Sequence, residues 1–355
     1  MLPIPVRQLF SASLAVLISL ALFRELGRGG LRMAFAKLWK GAWIFAHPRT
    51  CFEVAKVLTR SETRPILQAE PRLMFKYLGD YLGADLSREE RASILIGHYA
   101  FLKVRVERNF FRMIVDCRPE LWRQTIGDHV YRICLTFPRA THGEGDLSLI
   151  FEADSVDIYT LSFAIGPGRI AGLVAPHAIY IARVQGKGRG LHLIRSATKD
   201  CFDISPAALL LAAAEGIATA LSLSHMIGIG ADNQIAGTDS RREGMIKAYD
   251  EFWIAAGGLR LGRSMYQLTV PSSHKPIQSI KRNHRSRVLR KREYKTVLKE
   301  QVRRAFRDVA LGARPGQREP SPSGRAVQNG TDEPRGERST VRDSQTDGGS
   351  VHHGE

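Results

Sequence analysis

The stretch from Ala178 to Ala231 constrains the fold most. Ala178-Ile-Tyr-Ile-Ala-Arg-Val184 reads as a strand. It empties into Gln185-Gly-Lys-Gly-Arg-Gly190, passes through a helical run, and ends in the apolar strand Met226-Ile-Gly-Ile-Gly-Ala231. A strand that ends in glycines and feeds a helix is where many folds hold a phosphate-bearing cofactor, because the backbone can approach the anion and the helix start presents unpaired amides. The same pattern also serves as a plain crossover in a sheet.

The remaining chain supplies the partners. Residues up to about 125 read mainly helical. Ser87-Arg-Glu-Glu90 is a capping box whose helix carries Ile94, Leu95, His98, Phe101 and Leu102 near one face. The period then changes from helical to alternating. Residues 130–137, 147–153 and 157–165 have the β-branched and aromatic content of strands, and the short Asp154-Ser-Val156 link makes the last two a hairpin. Arg169 to Val174 is expected to extend the sheet. After the glycine turn, Leu191 to Phe202 and Pro206 to Leu223 read as two helices, the second capped by Ser205. Ser240-Arg-Arg-Glu243 opens another, Met265 to Val270 is a last strand, and a basic helix follows at about 280–306. An antiparallel start that switches to strand–helix–strand predicts an α+β domain: N-terminal helices followed by a mixed, largely antiparallel sheet with crossover helices.

At 355 residues and 44% apolar composition, most of the chain can bury a core. The exception is the end, where residues 314–355 contain no aromatic and no Leu, Ile or Met. Such a segment cannot offset its chain entropy, so 311–355 is read as a disordered tail behind a domain at 48–310. Residues 1–47 form a basic amphipathic segment, with an uncharged run at 9–23 too short for an ordinary membrane span. The net charge is +17. Thirteen Lys and Arg lie between Lys275 and Arg307, against Glu293 and Glu300. That surface favours anionic partners. The four scattered cysteines suggest reduced thiols in a cytoplasmic protein rather than a metal site or disulfide framework.

Specific words add to this pattern. Glu144-Gly-Asp-Leu-Ser-Leu149 followed by Ile158-Tyr-Thr-Leu-Ser-Phe163 resembles the central signature of the bacterial VirK/YbjX family. His98-Tyr99, Gln185-Gly186, Thr198-Lys199, Tyr249-Asp-Glu-Phe-Trp253 with Gly257-Gly258, and the basic run from Ile280 to Tyr294 agree with it in the same order. The resemblance implies a stress- or virulence-associated protein of Gram-negative bacteria, acting in envelope integrity, antimicrobial-peptide resistance or the DNA-damage response. It brings no catalytic residue or cofactor.

The element order also resembles that of the GCN5-related acyltransferases. Gln185, Gly186, Gly188 and Gly190 fall at the turn that would hold the pyrophosphate of acyl-CoA, with Lys187 and Arg189 adding charge. In that fold a tyrosine on the helix after the next strand protonates the departing thiolate, and Tyr249 occupies that position. Its competing role is as a core residue beside Met245, Ile246 and Trp253. No histidine shows metal-ligand spacing, and Glu144, Asp146 and Glu152 are read as solvated acids around a hairpin. On the basic helix, Lys281, Arg282, Arg285 and Arg292 are the candidate anion-binding residues, for an anionic membrane surface before nucleic acid. Three functions follow: a VirK/YbjX-like envelope or stress factor, cytoplasmic or peripheral at the inner membrane; an acyl-CoA-dependent acyltransferase; or a nucleic-acid-binding stress protein.

Overall fold

Helices come first, as the periodicity requires: α1 (Pro48–Leu58), α2 (Arg64–Ala69), a 3-10 helix at Pro71–Leu78, α3 (Arg88–Lys103) and α4 (Phe110–Asp116). Ser87 and Glu90 form the reciprocal capping box at the start of α3, and all five residues expected on its inner face are buried. The computed structural model describes residues 42–44, 46–138, 142–235, 244, 246–273 and 275–311. These belong to the first of the two units, 1–313 and 314–355, into which the chain divides. Most of segment 1–47, the Ser240–Glu243 box, Met245 and the tail after Leu311 lie outside the described residues.

Eight strands follow in one sheet: β1 (Glu120–Ile126), β2 (His129–Thr136), β3 (Leu147–Ala153), β4 (Val156–Pro167), β5 (His177–Gly186), β6 (His225–Ile229), β7 (Leu259–Leu261) and β8 (Met265–Thr269). Their spatial order is β1-β2-β3-β4-β5-β6-β8-β7. Every adjacent pair is antiparallel except β5 and β6, which run parallel across the crossover of α5 (Leu191–Asp200) and α6 (Pro206–Ala220). The fold is therefore the α+β architecture read from the sequence. Two strands escaped that reading. In β1 a bulge leaves both Leu121 and Trp122 buried, which breaks the alternation, and β7 is only three residues long. Arg169 to Val174 does not extend the sheet. Gly168–Ala171 is a 3-10 turn closed by Gly172 in the left-handed region.

α6 is buried along nearly its whole length. It lies between β3 and β4 on one side and α8 (Arg285–Leu311) on the other. Its Ala and Leu side chains suit the apolar strand residues Leu147, Leu149, Leu161 and Phe163. Glu215 is its one charged residue. Lys299 of α8 meets it at 2.6 Å, and the Ser272 amide donates to its other oxygen at 2.8 Å. The two helices touch closely at Gly216, where a Cβ would stand 2.6 Å from the Lys299 carbonyl oxygen. α7 (Glu251–Ala255) is short and ends before β7.

Gly216→Val should therefore force α6 and α8 apart. The small gain in helix propensity cannot offset overpacking, so urea unfolding should show a loss of about 3 kcal/mol.

Candidate functional site

Strand β5 holds the geometry on which a site can be built. Ser162 pairs with Arg183 but Phe163 pairs with Ile181, so Ala182 is an extra, bulged residue. The parallel pairing with β6 runs only from Ile179–Met226 to Ile181–Gly228. Past the bulge, β5 continues to Gly186 beside β4 alone, while β6 ends at Ile229. The two strands part at this point.

Tyr249 stands at the parting. Trp253, on α7, lies over Gly228, where a Cβ would fall 2.3 Å from its ring, and its indole N–H donates to the Ile229 carbonyl at 3.0 Å. Asp250 accepts from the Ala231 amide at 2.8 Å. These two contacts fasten the helix to the end of β6. One turn earlier, in the π-helical turn Ile246–Asp250, Tyr249 directs its hydroxyl to the Val184 backbone of β5. π-helical turns recur at functional sites. Burial, then the neighbouring Glu144 carboxylate, push the Tyr249 hydroxyl up to about 12, opposed by the Val184 bond and Arg183. It is protonated at neutral pH, so it can serve as an acid while its oxygen still accepts hydrogen bonds.

The glycine turn is more structural than its composition suggests. A Cβ on Gly186 would stand 3.0 Å from both Ile194 and Tyr159, and one on Gly190 would stand 3.2 Å from Ile158. Gln185 and Gly186 pair with Thr160 and Tyr159 of β4. The Lys187 amide donates to the Ile158 carbonyl, and its ammonium pairs with Asp157 at 2.9 Å. Lys187 is thus committed to the sheet. Gly188 faces open space, and no side chain caps the first turn of α5. The Gly190 amide donates to the Lys187 carbonyl at 2.9 Å, so the groups that would hold a pyrophosphate narrow to Gly188 and the first amides of that helix.

The acids around the β3–β4 hairpin are not solvated. Glu144, Asp146 and Glu152 are all buried, and each is paired. Glu144 binds Arg183. Glu152 binds Arg118 and Arg132, each at 2.8 Å, and Asp157 shares Arg118 and takes Lys187. Asp146 lies in a fully enclosed cluster. Lys76 donates to it at 2.8 Å and to the Gly145 carbonyl at 2.5 Å, Tyr99 donates at 3.2 Å, and Tyr81 donates to its second oxygen. Burial pushes the Asp146 carboxyl up, but the Lys76 charge and the Lys76 and Tyr81 bonds outweigh it and hold it below the usual carboxylate range. Burial pulls the Lys76 ammonium down against the attraction of Asp146. His98 accepts from the Ile165 amide through Nδ1 at 3.0 Å, and burial lowers it to about 4, so its buried Nε2 is neutral and unpartnered.

Sequence reasoning had no signal for Lys76 or Arg183 as partners of the signature acids. Each is nearly 40 residues or more from its acid and is brought to it by the sheet.

The model of a family described as a protein of unknown function, DUF535, matches residues 35–304. The chain belongs to the DUF535 family. YbjX of Escherichia coli strain K12, named as an uncharacterized protein, is 25% identical over 308 residues, 82% of this chain and 91% of its own. The VirK/YbjX resemblance of the signature words is therefore one of family membership. No solved structure matches the fold.

The basic helix α8 starts at Arg285 rather than at about 280, so of the four candidate residues Arg285 and Arg292 lie on it and Lys281 and Arg282 in the turn before it. Arg285 donates to the Ile280 and Gln278 carbonyls, and Arg292 to that of Lys275, so both staple the preceding segment. Lys281 and Arg282 are exposed and carry no ion pair among the described residues. Among those residues no cluster of His, Cys, Asp and Glu could hold a metal, and no helix is long and apolar enough to cross a membrane. All four cysteines are free, with Cys117 exposed.

Lys76→Met should leave the Asp146 charge buried and uncompensated, costing about 3–5 kcal/mol in denaturant unfolding. Adding Asp146→Asn to it should recover a large part of that loss.

Proposed function

We propose that this DUF535 protein is an acyl-CoA-dependent acyltransferase that serves envelope integrity. The observation that carries the reading is the parting of β5 from β6 at the Ala182 bulge, with the Tyr249 hydroxyl held at the gap. The GCN5-related acyltransferases, which the element order resembles, work at such a parting of two parallel strands. Gly188 and the first amides of α5 would take the pyrophosphate of the acyl-CoA substrate, with Gly190 shaping the turn. The acceptor attacks the thioester carbonyl, the C–S bond breaks, and the Tyr249 phenol gives its proton to the leaving sulfur. The proton shed by the acceptor returns to the phenolate. Tyr249 is also a core residue, and both roles are compatible because its hydroxyl lies against the Val184 backbone where the strands part.

A second reading, association with the anionic inner face of the cytoplasmic membrane, is favoured by one surface feature. Phe202 is 40% exposed, with φ +57°, a left-handed conformation that bulky residues rarely adopt. Arg290 lies over its ring at 5.6 Å, and Arg287 and Lys291 grip the adjacent Asp203. An exposed aromatic among cations suits a lipid headgroup layer.

Acetyl-CoA and longer acyl-CoAs should raise the melting temperature. Gly188→Glu should abolish that rise, and Tyr249→Phe should retain it while lowering turnover about 100-fold. Absence of any shift with the wild type would end the acyltransferase reading. In liposome flotation the protein should rise with anionic and not with neutral vesicles, and Phe202→Ser with Lys281→Ala and Arg282→Ala should weaken this. Equal flotation with both lipids would remove the membrane reading.

A further inference from the structure

The two signature words build one face of the sheet. In Asp146-Leu-Ser-Leu149 and Tyr159-Thr-Leu-Ser-Phe163 the leucines and Phe163 point one way, and Asp146, Ser148, Thr160 and Ser162 point the other. The strand registers extend this second face into rows. One row is Cys134, Ile150, Thr160 and Gln185, and the next is Thr136, Ser148, Ser162 and Arg183. The hydroxyls of Ser148 and Ser162 meet at 2.7 Å, as residues on one face must. Central strands with one wholly apolar face rarely carry hydroxyls, a guanidinium and an amide on the other without a use for them, since burying unpaired polar groups is costly.

The rows are bounded by charge at both ends. On one side Arg118, Arg132 and Lys187 interlock with Glu152 and Asp157. On the other Arg183 pairs with Glu144, beside Tyr249. Positive and negative groups nearly balance, so the face has no strong preference for a charged ligand. Two of its groups are incomplete. The Nε atoms of Arg132 and Arg183 are buried and have no hydrogen-bond partner. One donor lies at each end of the floor, three strands and two side-chain rows apart, about 20 Å at ordinary strand spacing. Between them Thr160 and Ile150 keep a small exposed area, 7% each, and Gln185 is open to solvent. A ligand here would offer oxygen acceptors at both ends and hydroxyls to meet Thr160 and Gln185 between them.

We infer that this polar face, from Arg132 across Thr160 to Arg183, is the acceptor site and takes a polyhydroxylated, sugar-like molecule. The inference rests on the acyltransferase reading, because its Arg183 end adjoins Tyr249 and the parting of β5 and β6. A sugar hydroxyl or amino group bound on this floor would reach the gap from the Arg183 end. Its nucleophile would form the new ester or amide bond as the thioester C–S bond breaks, with the leaving sulfur taking the tyrosine proton.

The test separates acceptor binding from acyl transfer. Saturation-transfer NMR on the full chain, without acyl-CoA, uses glucosamine as probe, with cyclohexylamine as the control that lacks hydroxyls and inorganic phosphate as competitor. Glucosamine should show transfer, cyclohexylamine none, and phosphate should not displace it. Thr160→Val, which keeps the side-chain shape, should weaken glucosamine about tenfold with an unchanged circular-dichroism melt. Gly188→Glu should leave glucosamine binding intact while removing the acyl-CoA melting shift. Glucosamine binding with no acyl-CoA shift in the wild type would retain the sugar site and overturn the acyltransferase reading alone. An acyl-CoA shift with no glucosamine transfer, transfer undiminished in Thr160→Val, or displacement by phosphate would overturn the sugar site alone.

Discussion

Strands β3 and β4 are apolar on one side and polar on the other, and the two sides are covered differently. The apolar side takes α6, which is itself so apolar that it must be roofed by α8. The one charge inside α6, Glu215, is tolerated because Lys299 and the Ser272 amide complete it. The polar side cannot be covered by such a helix. At its Asp146 end it is closed by the 3-10 helix and α3, which bring Lys76, Tyr81 and Tyr99 as hydrogen-bond donors. Burying an ion pair is favourable only when its remaining polar atoms are also bonded, and that requirement ties the N-terminal helices to the sheet.

The same division explains how the candidate site is placed. Asp146 is held in the enclosed cluster, and Glu144 lies two residues away against Arg183. Arg183 is the first residue after the Ala182 bulge, so its ion pair with Glu144 ties the bulge to the segment that carries Asp146. Trp253 and Asp250 fasten the following helix to β6 and set Tyr249 against β5. Tyr249 and Glu144, distant in the chain, are thus brought near each other by these contacts.

Some of this was legible in the residues. The alternation at 147–153 and 157–165, the hairpin, the Ser87 and Ser205 caps and the two crossover helices all follow from local chemistry. Strand β1 was hidden because a bulge buries two successive residues, and β7 because three residues have no period. Glu144, Asp146 and Glu152 looked like solvated acids because acids near a turn usually are. Their partners Arg183, Lys76 and Arg132 come from other elements, and nothing in the local pattern announces them.

The sequence by itself determined the class of the fold, its family and the two-faced character of its central strands, because each of these is written in short-range periodicity or in words a few residues long. Only the tertiary structure decided which polar residues are committed and which are free. Lys187, Arg285 and Arg292 look like anion ligands in the sequence, yet each is spent on a carboxylate or carbonyl of the protein's own. Gly188 and Tyr249 keep a place at the parting of β5 and β6 because a single bulged residue ends the strand pairing there. Pairing between distant strands depends on register, and register is a property of the assembled sheet.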